Sequence, residues 1–244
     1  LQSRSQQKQR SKMYLSAFFI VLAAYPACVL SKYLEREFIV QPGYDAIHDD
    51  IRLTPEQKLM KMERGFYTAG KWPLVNNVVT VPYFFSTESI PQGDALRNIF
   101  KKAVSVYEAN TCIRWVETTA QDKRNKVEIF KGQGCFSNVG MVEYGDVSLS
   151  LGMGCDNVPT MIHEMGHTMG LFHTQSRPDR DDHVKVWLKN VQPGMEHNFD
   201  ISTGEFFKVP YDYKSMMHYG NDYFSTNGSF TLTTIDPLAM FSIG

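Results

Sequence analysis

The 244-residue sequence predicts an α+β fold, with short strands and two helices first and a loop-rich half after them. Three patterns carry that expectation. Residues 78–85, Val-Val-Thr-Val-Pro-Tyr-Phe-Phe, are β-branched and aromatic, as strands are. Residues 94–108 place Leu96, Ile99, Phe100, Ala103, Val104 and Tyr107 at helical spacing, so one face of a helix faces the core. Around residue 165 the apolar Met165, Met169, Leu171 and Phe172 mark a buried helix.

The remaining elements follow in chain order. The first dozen residues are polar and basic (Arg4, Lys8, Arg10, Lys12), and residues 13–30 form an apolar run ending in small residues. That layout is a secretory signal, cleaved near Ser31, or else an uncleaved signal-anchor. Either way the rest of the chain enters an oxidising compartment, and the protein is expected to be secreted or signal-anchored at a membrane. The chain begins at Leu1, so its start lies upstream or at Met13. Residues 32–64 are charged. Pro82 marks the first strand as an edge strand. Residues 113–117, 127–130 and 147–151 read as further short strands, and Asn227-Gly228 as a tight turn before a strand at 229–233. Formal net charge is −1, which gives no footprint for nucleic acid or an anionic membrane surface.

Residues 163–173 read His-Glu-Met-Gly-His-Thr-Met-Gly-Leu-Phe-His. His163 and His167 are four apart, so they share one helix face. Gly170 can take the left-handed conformation that ends a helix and turns His173 back towards them. Three neutral imidazoles leave one position of a tetrahedral Zn²⁺ open, which is the layout of a catalytic site. Glu164 reaches a water at that position without ligating the metal and serves as general base. One zinc per chain is expected, held by His163, His167 and His173. His48, His183, His197 and His218 have no ligand spacing and read as structural or solvated.

Further stretches accompany this string. They are Thr111-Cys112-Ile113-Arg114-Trp115, Cys135-Phe136-Ser137-Asn138-Val139-Gly140, Leu151-Gly152-Met153-Gly154-Cys155, Arg177-Pro178-Asp179-Arg180-Asp181, Pro210-Tyr211-Asp212-Tyr213 and Ser215-Met216-Met217-His218-Tyr219. On these residues, from about Trp72 to the end, the chain resembles the astacin family of metzincin zinc endopeptidases, which are secreted or membrane-attached and made as zymogens. The resemblance implies a metzincin-type two-lobed domain, with the twisted sheet and zinc helix in an upper lobe and loops in the lower one. It implies a peptide or protein substrate. It makes Tyr219 an additional zinc ligand at rest that swings to steady the oxyanion, Met217 the floor of the zinc site, and Cys135–Cys155 a disulfide. Asp50 resembles the propeptide Asp that fills the open zinc position, although Ile47 and Asp49 stand where the family has Phe and Gly. The implied organisation is a signal or anchor over 1–31, a propeptide over 32–64 and a peptidase domain over 65–244, with activation near Lys61 or Arg64. In a secreted chain Asn227-Gly228-Ser229 is also an N-glycosylation acceptor.

The chain departs from the resemblance at named positions. Thr174 replaces a Glu that pairs with the mature amino terminus. Pro159 replaces a Gly, which is tolerated in a first helical turn. The chain stops before the family's final helix and has no counterpart of the family's partner for Cys112, so an open thiol and an exposed apolar patch are expected. Cys28 is expected to leave with the signal. Two readings result: a secreted zinc endopeptidase made as a zymogen, or a zinc-binding but catalytically poor fragment or pseudoprotease that binds peptides.

Overall fold

Nine strands and two α-helices make up the regular structure of the computed structural model, which describes residues 50–54, 70–202 and 209–244. The expected leader, Cys28, Lys61 and Arg64 lie outside them. In chain order the elements are β1 (Ile51–Arg52), β2 (Leu74–Val75), β3 (Val78–Phe85), α1 (Ala95–Asn110), β4 (Ile113–Glu117), β5 (Val127–Phe130), β6 (Cys135–Asn138), β7 (Val147–Leu151), α2 (Val158–Thr168), β8 (Val184–Val186) and β9 (Leu232–Thr234). The large sheet runs β1-β6-β7-β5-β3-β2, and β4 also pairs with β3. Pairing is parallel except for β2 with β3 and β6 with β7.

β3 is an interior strand, which corrects the edge assignment drawn from Pro82. It pairs with β4 through Val79–Tyr83 and with β5 through Tyr83–Phe85. Val79 N–H donates to Cys112 O, towards β4. Backbone groups alternate sides along a strand, so the N–H that Pro82 lacks faces the opposite side, where β5 begins only at Tyr83. β2 has no counterpart among the strands expected from the sequence. Asn76 and Asn77 have φ of 51° and 60°, the conformation of a two-residue hairpin turn, which Asn tolerates.

Asp94 caps α1 by accepting from Leu96 N. The buried face of α1 meets an aromatic cluster in which Phe100 lies 5.1 Å from Tyr83, 5.6 Å from Phe85 and 6.0 Å from Trp115. Tyr107 Oη donates to Ile162 O at 3.1 Å, which ties α1 to α2. β8 and β9 form a separate antiparallel pair beside a second apolar cluster that contains Phe199, Tyr219 and Phe224. The upper sheet and this lower cluster match the expected two-lobed α+β organisation. The last strand starts at Leu232, not Ser229, because its partner is β8 and not a hairpin neighbour across Gly228.

Cys135 and Cys155 form the expected disulfide. Cys112 is disulfide-bonded as well, and no cysteine among the described residues is free. This corrects the expected open thiol, which rests only on the lack of a family cysteine further on. Exposed apolar side chains are present near the end of the chain, with Leu238 91% and Phe241 89% exposed. No helix among the described residues is long and apolar enough to cross a membrane.

Phe100 is fully buried. Phe100→Ala should therefore lower unfolding free energy by about 3–5 kcal/mol. Denaturant melts of the two proteins check this, and an unchanged midpoint would remove the aromatic cluster from the core's stability.

Candidate metal centre

α2 begins at a capped turn. The Asn157 side chain accepts from Thr160 N at 2.9 Å, and Pro159 lies in the first turn, where no helical N–H is needed. The helix ends where Gly170 takes φ of 96°, with Gly170 N–H bonded to His167 O and Leu171 N–H to Gly166 O. An L side chain at residue 170 would be strained there. The reversal leaves His173 extended and returns its ring to the face that carries His163 and His167, 5.4 Å and 4.8 Å from theirs.

Backbone carbonyls set which nitrogen of each helix imidazole faces inward. His163 Nδ1 lies 2.7 Å from Met216 O, and His167 Nδ1 lies 2.8 Å from Leu171 O. A carbonyl can only accept, so each Nδ1 carries the proton and each Nε2 presents a lone pair. The two Nε2 atoms stand 3.1 Å apart. Asp50 Oδ2 lies 3.0 Å from His163 Nε2, 3.1 Å from His173 Nε2 and 3.7 Å from His167 Nε2.

Asp50 and the three histidines form a buried group whose ligand atoms all lie within 4.8 Å of one another. Electron-rich atoms converge here with no donor of their own between the two helix imidazoles. A cation removes that repulsion. Tetrahedral ligands of one zinc lie about 3.3 Å apart, since each zinc bond is about 2.0–2.1 Å. The observed separations bracket that value, so the donor set fits zinc.

Charges inside the site are strongly perturbed. Burial alone would raise the Asp50 carboxyl, but the charge of His173 and the close approach of the three imidazoles outweigh it and hold Asp50 well below the usual carboxylate range. Burial, with the nearby Asp50 carboxylate, pushes Glu164 well above its ordinary value. Both Glu164 oxygens are buried with no hydrogen-bond partner among the described residues. Burial lowers His167 to about 4, against the pull of Asp50, which keeps the imidazole neutral and able to ligate.

Met217 lies against α2. A Cβ built at Gly166 would sit 2.9 Å from Met217 Sδ, so the absent side chain at residue 166 is what admits the methionine. Met217 O accepts from Thr174 N–H at 2.8 Å, which joins this turn to the residue after His173. The Tyr219 ring packs 4.5 Å from that of His173. His218 turns away from the cluster, towards Tyr211. The profile of the peptidase family described as Astacin matches residues 68–244.

The chain belongs to the astacin family.

Blastula protease 10 of Paracentrotus lividus is 39% identical over 185 residues, 72% of this chain and 30% of that protein. Meprin A subunit beta of Mus musculus is 38% identical over 197 residues, 79% of this chain and 26% of that one. The chain thus spans a quarter to a third of these astacin relatives. Among solved structures, the hatching enzyme zinc-protease HCE-1 of Oryzias latipes superposes with a TM-score of 0.63 at 31% identity, covering 68% of this chain and 82% of that one. Astacin membership makes zinc the metal that this cluster suits.

The residues singled out in the sequence are distributed as follows. His163, His167, His173, Asp50 and Glu164 come together, with Met217 and Tyr219 bordering them. Asn227 lies apart, exposed on the lower lobe. Thr174 is buried, and its hydroxyl has no partner among the described residues. Sequence reasoning misses the carbonyls of Met216 and Leu171, because backbone acceptors leave no mark in residue identity.

Metal analysis of the purified chain should return one zinc per molecule, and stripping it with a chelator should lower the melting temperature, because a ligand that binds only the folded state stabilises it. An equal melting temperature with and without zinc would contradict the assignment.

Proposed function

We propose that the chain is a secreted zinc endopeptidase made as a zymogen, in which Asp50 caps the metal until the segment carrying it is removed. One observation carries this reading: a buried carboxylate from before the peptidase domain lies on the three imidazoles, beside a buried Glu164 without partners among the described residues. His163, His167 and His173 would hold the ion, and Asp50 would take the position that the reaction needs. Bound there, the ion supplies Lewis acidity, lowering the pKa of a water towards about 7 and polarising a carbonyl.

The chain's own residues supply the remaining chemistry. With Asp50 present, Glu164 faces a second carboxylate, which favours its protonated, inactive form. Burial is the larger cause that holds Glu164 protonated; with Asp50 gone that repulsion ends and the opened site admits water, and both changes favour ionised Glu164. It then takes the proton of the attacking water and passes it to the leaving amine. The Tyr219 hydroxyl would donate to the developing oxyanion, and a donor aimed at transition-state charge favours that state over the bound substrate. Met217 supports the imidazoles from beneath without ligating.

The sheet edge supports the same reading. Among the described residues, β1 pairs in parallel with β6 through Ile51 and Arg52. Ser137 N–H donates to Asp50 O, Asn138 Nδ2 to Arg52 O, and the Arg52 guanidinium lies 4.6 Å from the Phe136 ring centre. Removing β1 would open the β6 edge to an extended substrate peptide. Division into a propeptide over 32–64 and a peptidase domain over 65–244 fits this role, as does export to a compartment where the disulfides persist. Asn227 would carry glycan there.

The Thr174 hydroxyl, without a partner among the described residues, favours the second reading, a zinc-binding chain of little catalytic power. A casein-type assay separates the two. Glu164→Gln should keep zinc one to one and lose proteolysis by several orders of magnitude, whereas the unaltered processed chain cleaves in a chelator-sensitive way. Asp50→Ala should give chelator-sensitive cleavage in the full chain without processing. A zinc-loaded, processed chain that cleaves nothing would establish the second reading instead.

A further inference from the structure

We infer that Gln175, His218 and Tyr211 are positioning residues that clamp the backbone of Tyr219 on both sides and so fix where its ring stands beside His173. The inference rests on the reading of Tyr219 as an oxyanion donor. Gln175 is fully buried, and its side-chain Oε1 accepts from Tyr219 N–H at 3.1 Å. On the other side of the residue, His218 Nδ1 lies 2.7 Å from Tyr219 O. That carbonyl can only accept, so Nδ1 carries the proton and Nε2 is the acceptor. The Tyr211 hydroxyl therefore donates to Nε2, at 2.8 Å. Both backbone groups of Tyr219 are thus committed to side chains: the ring of His218 is held by Tyr211, and Gln175 is held at its backbone carbonyl by Arg180.

The supports of the clamp come from the charged segment 177–181. Arg177 grips Asp179 through Nε at 2.9 Å and Nη2 at 2.7 Å, and it also donates to Val209 O and Pro210 O. Those carbonyls immediately precede Tyr211, whose ring stacks on His183 at 4.3 Å. Arg180 Nη1 donates to Gln175 O and to Phe199 O, which anchors the other arm. The charges of Arg177, Asp179 and Arg180 thus act structurally. They hold two neutral hydrogen-bonding arms, and the arms hold Tyr219. A donor that must meet transition-state charge needs its geometry fixed in advance, and a displacement of about 1 Å can cost roughly a hundredfold in rate.

The test compares Tyr219→Phe, Gln175→Met, Tyr211→Phe and the two double variants that combine each with Tyr219→Phe, all as active enzyme processed from the full chain. Gln175→Met and Tyr211→Phe should each lower kcat about ten- to a hundredfold, with KM, zinc content and melting temperature little changed. Neither should cost anything further in the Tyr219→Phe background. With Cu²⁺ in place of zinc, both single variants should weaken the visible phenolate-to-copper absorption that a correctly placed tyrosine gives. Normal kcat in both singles beside a slow Tyr219→Phe overturns the clamp and leaves the role of Tyr219 standing. Losses that multiply in the double variants also overturn it. A Tyr219→Phe enzyme as fast as the unaltered one overturns both. If Gln175→Met fails to fold, Tyr211→Phe, which removes one hydroxyl only, carries the same comparison.

Discussion

Two imidazole lone pairs 3.1 Å apart, with a carboxylate oxygen a similar distance away, do not stay together unaided. The backbone carbonyls of Met216 and Leu171 force this arrangement by accepting hydrogen bonds from the Nδ1–H groups of His163 and His167. The repulsion built in by folding is therefore the source of metal affinity: the site is preorganised to lose strain when a cation enters. In the proposed zymogen, three imidazoles and the Asp50 carboxylate would satisfy a tetrahedral zinc fully, and removing the carboxylate would open one position.

Much of the remaining structure holds that convergence in place from several directions. Trp72 Nε1 donates to Thr168 O at the end of α2, and Gly140 N–H donates to His167 O. From the lower lobe, the turn around Met217 reaches up through Met216 O to His163, and through Met217 O to Thr174 N–H. The zinc site therefore lies across the seam between the lobes. Its second half is delivered by backbone groups whose positions depend on the 175–180 and 209–219 loops. Loops of this length with little regular structure need side-chain supports, and Arg177 and Arg180 supply them.

The sequence discloses what depends on periodicity and on ligand chemistry. α1, β3, β4, β5 and β7 are legible because their apolar positions recur at 3.6 or 2 residues, and the three histidines because few other arrangements explain their spacing. β6 is not, since Cys135-Phe136-Ser137-Asn138 has no alternation and is a strand only because β7 and β1 flank it. The hairpin at Asn76-Asn77 carries a turn signal that the stronger run after it masks. Pro82 misleads because tolerance of proline depends on which side of the strand has a partner, and local sequence does not encode that. Cys112 misleads for a related reason: a missing residue further on does not by itself leave a thiol open. Asp50 is reached through resemblance despite Ile47 and Asp49, and its contact with the histidines spans more than a hundred residues, a separation no local pattern reports.

X-ray absorption at the zinc edge, recorded on the full chain and on the processed chain, measures the metal's surroundings directly. The full chain should show three imidazole nitrogens and one carboxylate oxygen, with that carboxylate lost and solvent oxygen gained after processing. Identical spectra before and after processing, or a zinc in the full chain that already carries water in place of Asp50, would contradict a site closed by its own prosegment.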